Sequence, residues 1–216
     1  MITMGKRNFI SVSWRETKGT AWEDITAQRG AGLVAISCAV IEFAGLSANY
    51  AIYLIPVTLV WLWLRGSDQE RGGLVMAVVV SELGLLINQL IPLWWFHPRP
   101  FLVPVGKTFV EHAADSSFPS DHLTFILGIA FALAYWNRQH RAALVIGAIG
   151  MLVAWARIFI GVHFPFDMIG SAVTAAIALI ILIPANKAIQ SILVGRVAIP
   201  VYRALFAPAI NRGWCR

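Results

Sequence analysis

The chain has 216 residues, of which 58% are hydrophobic and only 13% are charged, about half the charged fraction of roughly 25% that is usual in soluble proteins. This composition excludes disordered, fibrous and ordinary soluble proteins and predicts an integral membrane protein. In such a chain the net charge of +6 indicates membrane topology, and nucleic acid is not expected as a partner. The two cysteines, Cys38 and Cys215, are too few for a disulfide framework and are interpreted as structural thiols.

The apolar runs follow a polar N-terminal segment. Residues 1–30 are expected to be cytoplasmic or interfacial. Since a spanning helix needs about 20 mostly apolar residues, the stretch 32–64 contains one clear span, Tyr50–Leu64. The preceding part, residues 32–48, either spans as well or lies in the interface. Four further spans are predicted at Gly73–Trp95, Leu123–Trp136, Ala142–Ile160 and Phe166–Pro184.

These spans predict an all-α fold, a polytopic integral membrane helix bundle with five or six transmembrane helices. The membrane domain covers residues 31–186, and residues 187–216 are predicted to form a basic cytoplasmic tail. Lysine and arginine favour the cytoplasmic side of short loops, and here they fall in alternate connections. The loop Phe96–Asp121 and the turn Gly161–Pro165 are therefore expected on the outer side.

Three polar clusters fall at predicted helix ends on this outer side. They are His97-Pro98-Arg99-Pro100, Pro119-Ser120-Asp121-His122, and Arg157 with His163 and Asp167. A charged group at membrane depth costs roughly 2.5–3.5 kcal/mol on insertion scales, so its presence needs a reason. Because all three clusters share one membrane face, helix packing is expected to bring them into one cavity.

The second cluster predicts a helix N-terminus that can bind phosphate. Ser120 is a favoured N-cap residue, and the helix then begins at Asp121 with His122 in its first turn. The free backbone N–H groups and partial positive charge of a helix start attract a phosphate. The alternative is a capped interfacial helix with a solvated histidine.

The third cluster predicts a histidine that is held by a carboxylate. Pro165 suits the first turn of the last predicted span, so Asp167 can reach back to His163, fix its tautomer and stabilise its imidazolium form. Arg157 ends the preceding span. There it either binds an anion through its planar guanidinium group or snorkels to water.

Together these residues favour a phosphate site with a nucleophile and an acid. The sequence contains no Gly-rich P-loop, no HExxH motif and no carboxylate set typical of a metal-dependent phosphatase. Three histidines, His97, His122 and His163, could in principle bind zinc, but their irregular spacing does not favour a metal site. We therefore expect chemistry without a metal or another cofactor.

The three clusters resemble the signature of the type 2 phosphatidic acid phosphatase (PAP2) superfamily, which reads K-x6-R-P, P-S-G-H and S-R-x5-H-x3-D. The spacing from Arg157 to His163 to Asp167 meets the third motif in full. Longer strings resemble the bacitracin-resistance branch, which consists of undecaprenyl pyrophosphate phosphatases. These strings are Asn88–Ile91, His97–Phe101 and His112–His122. The resemblance covers roughly residues 45–185.

The sequence departs from this signature at three positions. Pro92 stands where the first motif has lysine, Asp121 replaces the glycine of the second, and Ala156 replaces the serine of the third. Aspartate at position 121 resembles what the bacitracin-resistance branch itself uses. Lys107 and Gln89 are candidates to replace the missing lysine, and Asp121 is a further candidate site residue.

The resemblance implies a role for each site residue. His163 attacks phosphorus to form a phosphohistidine, Asp167 orients it, and His122 protonates the leaving group and later activates water. Three further residues hold the phosphate and the charge that develops on it: Arg99, Arg157 and Ser120.

The resemblance also implies the reaction, which is hydrolysis of undecaprenyl diphosphate at the outer face of a bacterial inner membrane. This reaction recycles the lipid carrier of cell-wall precursors and confers bacitracin resistance. Two enzymatic alternatives are phosphate transfer to lipid A or another lipid, and hydrolysis of phosphatidylglycerol phosphate or phosphatidic acid. A transporter is disfavoured, because the functional charges of transporters lie near the bilayer midplane and these lie at one face. The sequence does not determine the oligomeric state.

Overall fold

The computed structural model describes residues 37–103, 105, 108–137 and 139–214. The predicted N-terminal segment 1–30, Lys107 and Cys215 lie outside the described residues. The chain divides into two compact units, Met1–Ala39 and Val40–Arg216, and all the packing described below belongs to the second unit.

Six helices follow one another in the described part of the chain, which contains no β-strand. They are α1 (Ser37–Arg65), α2 (Asp68–Leu90), α3 (Asp121–Ala132), α4 (His140–Phe159), α5 (Pro165–Leu182) and α6 (Asn186–Asn211). A 3₁₀ turn, Ala51–Tyr53, lies within α1. Wider π-helical turns extend α3 (Leu133–Asn137) and form the middle of α6 (Gln190–Ala198). The predicted all-α membrane fold is confirmed.

Five of these helices are long and apolar enough to cross a membrane, in agreement with the predicted five or six spans. The exception is α3, which with its π-helical extension runs only from Asp121 to Trp136. The predicted loop between α2 and α3 and the predicted turn between α4 and α5 are both present.

The structure defines two segments more closely than the sequence does. Residues 37–48 form the first part of α1 and not a separate span. Within this helix, Asn49 donates its side-chain N–H to the carbonyl of Gly45, 2.9 Å away, so its polar side chain does not interrupt the helix. The region that the sequence suggested to be a tail contains the 26-residue helix α6, whose basic residues are spaced widely enough to leave apolar runs between them.

Helix α3 lies at the centre of the bundle, against α2, α4 and α5. Its buried Ile126 and Ile129 belong to one apolar core with residues of the neighbouring helices. Small residues allow the closest approach, since a Cβ atom at Gly128 would lie 2.6 Å from Ser81 Oγ of α2. This packing holds the N-terminus of α3 beside the C-terminal end of α2.

The loop between α2 and α3 folds back over the helix ends. Its two arms pair at an isolated antiparallel bridge between Pro98 and Ser116, and Ser117 donates its backbone N–H to the carbonyl of His97 over 2.7 Å. This pairing brings Arg99 and Asp115 together next to the turn between α4 and α5.

Candidate active site

The turn between α4 and α5 presents a histidine at the entrance of a helix. Gly161 has a φ of 78°, a left-handed conformation that suits glycine, and so allows a tight reversal of the chain. Pro165 is the first residue of α5, as predicted. Asp167 Oδ2 accepts a hydrogen bond from the backbone N–H of Phe164 over 2.8 Å. The helix start therefore fixes the position of this carboxylate.

Asp167 holds His163 in place. Its Oδ2 atom lies 3.1 Å from His163 Nδ1, and the hydroxyl of Ser117 donates to the same oxygen. The carboxylate and the imidazole are both almost fully buried. Because a second side chain and a backbone N–H also bind the carboxylate, Asp167 is a rigid support for the imidazole ring.

The opposite nitrogen of His163 is the one available for chemistry. Arg99 Nη1 lies 3.2 Å from His163 Nε2, and because a guanidinium group can only donate, Nε2 accepts and carries no proton. The proton is then on Nδ1, which donates to Asp167. Burial, together with the positive charges of Arg157 and Arg99, lowers the pKa of His163 to about 4, although Asp167 opposes this shift. At neutral pH the imidazole is therefore neutral, with its lone pair on Nε2.

Arg99 is buried and oriented by further contacts. Its guanidinium group donates to the carbonyl of Val162 over 3.0 Å and to Asp115 Oδ1 over 2.7 Å. Burial by itself would raise the pKa of Asp115, but the hydrogen bond and positive charge of Arg99 outweigh it and lower that pKa. Arg99 is thus a fixed positive charge beside His163 Nε2.

Arg157 is a second buried cation, and one of its donors is unpaired. Only 3% of its surface is exposed, which excludes the alternative that it snorkels to water. Its Nη1 atom donates to the carbonyl of Ala48 over 3.3 Å, and Nη2 lies 3.1 Å from His112 Nε2. No atom of the described residues accepts a hydrogen bond from its buried Nε. A buried donor without a protein partner indicates an anion site.

The N-terminus of α3 faces the same cavity. Ser120 occupies the predicted N-cap position, but its side chain makes no capping hydrogen bond. Ser171 of α5 holds the backbone here: its hydroxyl accepts from the N–H of Ser120 and donates to its carbonyl, both over 2.9 Å. Ser120 Oγ is buried and has no partner in the described part of the chain. His122 follows in the first turn of α3 and lines the cavity.

Asp121 is tied to the end of α2. Asn88 Nδ2 lies 2.8 Å from Asp121 Oδ1 and 3.0 Å from Thr124 Oγ1. Gln89 Nε2 lies 3.2 Å from Asp121 Oδ2. Gln89, a candidate to replace the missing lysine, therefore donates a side-chain N–H to Asp121, and it also lines the cavity.

The cavity between these groups has a volume of about 370 Å³. Ten polar residues line it: Asn88, Gln89, Arg99, His112, Asp115, Ser116, Asp121, His122, Arg157 and His163. Asp167 supports the wall from behind, and Ser120 lies at the start of α3. Lys107 lies outside the described residues. Within the described part of the chain, no group of three His, Cys, Asp or Glu residues is arranged to hold a metal ion.

Several residues of the site were not predicted individually. Three of them lie in the loop between α2 and α3: His112, Asp115 and Ser117. They belong to the string His112–His122, which resembles the bacitracin-resistance branch, and this resemblance was the signal that could have identified them. Ser171 follows Asp167 by one helical turn, and the carbonyl of Asp167, 2.9 Å from its hydroxyl, is an alternative acceptor for the single hydroxyl proton. Partial burial and the positive charges of Arg99 and Arg157 lower the pKa of His112. His112 is therefore a neutral acceptor for Arg157.

Comparison with known proteins identifies the family of this chain. The family model of the PAP2 superfamily matches residues 72–190, a range that includes every residue that lines the cavity. Undecaprenyl-diphosphatase BcrC of Bacillus subtilis (strain 168) is 43% identical over 129 residues, which are 60% of this chain and 66% of that protein, slightly less than two thirds. YbjG of Escherichia coli (strain K12), named as a candidate undecaprenyl-diphosphatase, is 32% identical over 82% of this chain and 88% of its own. The crystal structure of Aquifex aeolicus LpxE aligns with a TM-score of 0.49 and 25% identity, over 65% of this chain and 80% of that one.

Proposed function

Since the chain belongs to the PAP2 superfamily, we propose that it is a membrane phosphatase that hydrolyses undecaprenyl diphosphate to undecaprenyl phosphate and inorganic phosphate. The observation that carries this proposal is the pair of buried arginines, Arg99 and Arg157, beside the neutral His163 at one cavity. The two relatives whose names contain undecaprenyl-diphosphatase support the choice of lipid.

In the first step, Arg99 shifts its N–H hydrogen bond from His163 Nε2 to an oxygen of the terminal phosphate, and the freed Nε2 lone pair attacks the terminal phosphorus of the diphosphate. A nitrogen–phosphorus bond forms and the bond between that phosphorus and the bridging oxygen breaks. His122 donates a proton to the departing undecaprenyl phosphate. Without substrate, burial and the nearby positive charges, of which Arg157 is the largest, lower the pKa of His122 to about 4. The negative charge of the bound diphosphate raises that pKa, so that His122 carries this proton when the substrate is bound. Positive charge develops on the imidazole ring of His163, and Asp167 stabilises it because Oδ2 accepts from Nδ1.

In the second step, water hydrolyses the phosphohistidine. His122, which lost its proton in the first step, takes one from the water as the oxygen attacks phosphorus. The nitrogen–phosphorus bond breaks, and inorganic phosphate leaves. His163 is then neutral and His122 protonated again, so both groups return to their starting states.

Phosphate oxygens are held by the groups that have no protein partner. Ser120 Oγ and Arg157 Nε are buried and unpaired in the described residues, and Arg99 lies against the attacking nitrogen. A phosphoryl group that accepts from these donors would satisfy them, and the donors would stabilise the charge on its oxygens in the transition state. His112 supports Arg157 from the other side.

The surroundings of the cavity suit a lipid substrate. Pro92, Phe96 and Phe118 line it beside the polar groups, and Leu93 and Trp94 at the end of α2 are strongly exposed. An isoprenyl chain can therefore stay among apolar side chains and bilayer lipid while its diphosphate enters the cavity.

The distribution of basic residues supports a cavity on the outer face of the bacterial inner membrane. Arg65, the last residue of α1, and Arg141, in the first turn of α4, lie at the opposite ends of the helices, which favours the cytoplasmic side for those ends. In this location the enzyme recycles the carrier of cell-wall precursors and confers bacitracin resistance.

The proposal is tested with purified protein in detergent and three substrates. We expect phosphate release to be fastest from undecaprenyl diphosphate and slower from phosphatidic acid and phosphatidylglycerol phosphate. Arg99→Ala should abolish release, whereas Arg65→Ala, at the other end of the bundle, should not. Faster release from either phospholipid would contradict the substrate. Phosphate recovered on an added lipid acceptor, and not in solution, would show that the protein is a transferase.

A second test concerns the proposed chemistry without a metal. Hydrolysis should continue in EDTA, because His163 supplies the nucleophile and the arginines supply the positive charge. Vanadate, which resembles the five-coordinate transition state of phosphoryl transfer, should inhibit competitively. Complete loss of activity in EDTA that Mg²⁺ restores would contradict the mechanism.

A further inference from the structure

Three contacts spread along helix α6 all reach the same region of α2. Near its start, the Gln190 side chain packs over Gly72, where a Cβ atom would lie 2.7 Å from Gln190 Oε1. Twelve residues further along, the Tyr202 ring lies 4.3 Å from the guanidinium carbon of Arg71. The next residue, Arg203, pairs with Asp68. All three partners lie in the first turns of α2.

These contacts show that α6 crosses the end of α2. A helix rises about 1.5 Å per residue, so Gln190 and Arg203 are roughly 20 Å apart along α6. If α6 ran alongside α2, two residues of α6 that are twelve positions apart would contact two residues of α2 that are also about twelve positions apart. The residues of α2 that α6 contacts instead all lie between Asp68 and Gly72. Because α2 spans the membrane, a helix that crosses its end lies along the membrane surface.

The end that α6 crosses is the one opposite to the cavity. The cavity is lined by Asn88 and Gln89 at the C-terminal end of α2, whereas α6 contacts its N-terminal end. The 23 residues of α2 correspond to about 35 Å, close to the roughly 30 Å thickness of the hydrocarbon core. The two features therefore lie at opposite membrane faces.

The composition of α6 fits a membrane surface. The sequence from Asn186 to the C-terminus contains no aspartate or glutamate, so its charge is entirely positive. Most of the helix is exposed, including five large apolar side chains: Ile192, Leu193, Val197, Val201 and Leu205. Four basic side chains are exposed beside them: Lys187, Arg196 and Arg203 within α6, and Arg212 directly after it. Arg203 pairs with Asp68, which leaves the other three for a further ligand. Basic residues beside an exposed apolar surface are typical of helices that lie in the interface of a bilayer with anionic lipids.

We propose that α6 lies in the membrane plane at the face opposite to the cavity and binds anionic phospholipid head groups through Lys187, Arg196 and Arg212. Its exposed apolar side chains insert among the lipid acyl chains. Tyr202 and Arg203 anchor it to α1 and α2, since the Tyr202 ring also packs against Trp63 at 5.9 Å between centroids.

The first experiment determines whether both ends of α6 lie on one side of the membrane. Single cysteines are placed at Ser191, Asn211 and Thr108 in a chain with Cys38→Ser and Cys215→Ser. They are labelled with an impermeant maleimide in intact spheroplasts and in inside-out vesicles. We expect Ser191 and Asn211 to label from the same side, opposite to Thr108 in the cavity loop. Labelling of Asn211 from the side of Thr108 would show that α6 spans the membrane.

The second experiment measures lipid preference. The full-length protein is reconstituted in bilayers of phosphatidylcholine that contain roughly 30 mol% phosphatidylglycerol as the anionic lipid. The association of spin-labelled phosphatidylglycerol is compared with that of spin-labelled phosphatidylcholine. The triple variant Lys187→Gln/Arg196→Gln/Arg212→Gln should lose most of the preference for phosphatidylglycerol. The matched variant Arg65→Gln/Arg141→Gln should keep most of it. An unchanged preference in the triple variant, or an equal loss in both variants, would overturn the proposal.

Discussion

Two buried arginines at opposite ends of the bundle show how similar burial can serve different purposes. Arg71 and Arg157 are both 3% exposed. Arg71 donates to the carbonyl of Trp63 and to Asp68, and it lies against the rings of Trp63 and Tyr202. Arg157 leaves its Nε without a partner in the described residues and faces the cavity. A buried cation that protein groups satisfy is structural, whereas one with an unpaired donor is placed for a ligand.

The largest effect is expected from His163→Ala at the cavity end. This change removes the attacking nitrogen, so turnover and the covalent phosphoenzyme should both be lost. The protein is incubated with terminally ³²P-labelled undecaprenyl diphosphate, quenched in alkali, in which phosphohistidine survives, and its labelled peptide is mapped. Substantial turnover by this variant, or label on a peptide that contains His122 but not His163, would show that the roles are assigned wrongly.

His122→Ala should slow both chemical steps by about 10²–10⁴-fold, because proton transfer to the leaving group and from water is lost. Attack by His163 remains available, so a phosphoenzyme accumulates if its hydrolysis slows more than its formation. Rapid-quench measurements separate the two steps. An unchanged rate for both would remove His122 from the mechanism.

Arg157→Gln should lower kcat/KM by about 10²–10³-fold, the range for loss of one donor that stabilises transition-state charge. Its thermal unfolding temperature should change little, since the variant also removes the Arg157 Nε–H, a buried donor whose lack of a protein partner destabilises the folded state. Competitive inhibition by vanadate should weaken by a similar factor. A large loss of stability with normal kcat/KM would mean that Arg157 is structural, like Arg71.

The pH dependence should report the neutral state of His163. Its pKa is about 4, lowered mainly by burial, so its Nε2 lone pair is available above that pH and is lost as pH falls through 4. Protonation of the nucleophile should make kcat/KM fall tenfold per pH unit below a pH of about 4. With the usual histidine pKa of about 6.5, this fall would begin at a pH of about 6.5. Since the unfolded chain binds this proton more readily, the free energy of unfolding should also decrease as pH falls from 6.5 to 4. The rate of phosphoenzyme formation, measured against pH in single-turnover experiments, separates the protonation of His163 from that of groups that act only in later steps.

The smallest effect on catalysis is expected from Arg71→Gln. The variant loses hydrogen bonds to Asp68 and to the Trp63 carbonyl, each worth about 1.5–3 kcal/mol for a charged group, so its unfolding temperature should fall. The cavity lies at the other end of α2, so kcat/KM of the folded fraction should stay within about twofold of the wild-type value. A loss of kcat/KM as large as that of Arg157→Gln would contradict the assigned difference between the two arginines.

Local patterns in the sequence predicted much of the fold and of the site. The apolar runs gave the spans that correspond to α2, α4 and α5, because a membrane helix is specified by its own length and hydrophobicity. Pro165 predicted the start of α5, since its ring suits the first turn of a helix. The spacing of His163 and Asp167 predicted their contact, because a carboxylate in the first turn of a helix can reach back to a side chain at the helix entrance.

Contacts between distant parts of the chain could not be predicted in this way. Ser117 reaches Asp167 across 50 positions, and Asn88 reaches Asp121 across 33, so only the packing of the helices brings them together. The same holds for α6, whose composition alone fits a tail, a span or a surface helix. The sequence by itself predicted the spans that correspond to α2, α4 and α5 and the contact between His163 and Asp167, because both depend on near neighbours. The tertiary structure alone decided which donors are left unpaired for a phosphate and that α6 crosses the end of α2, because both depend on how separate helices pack.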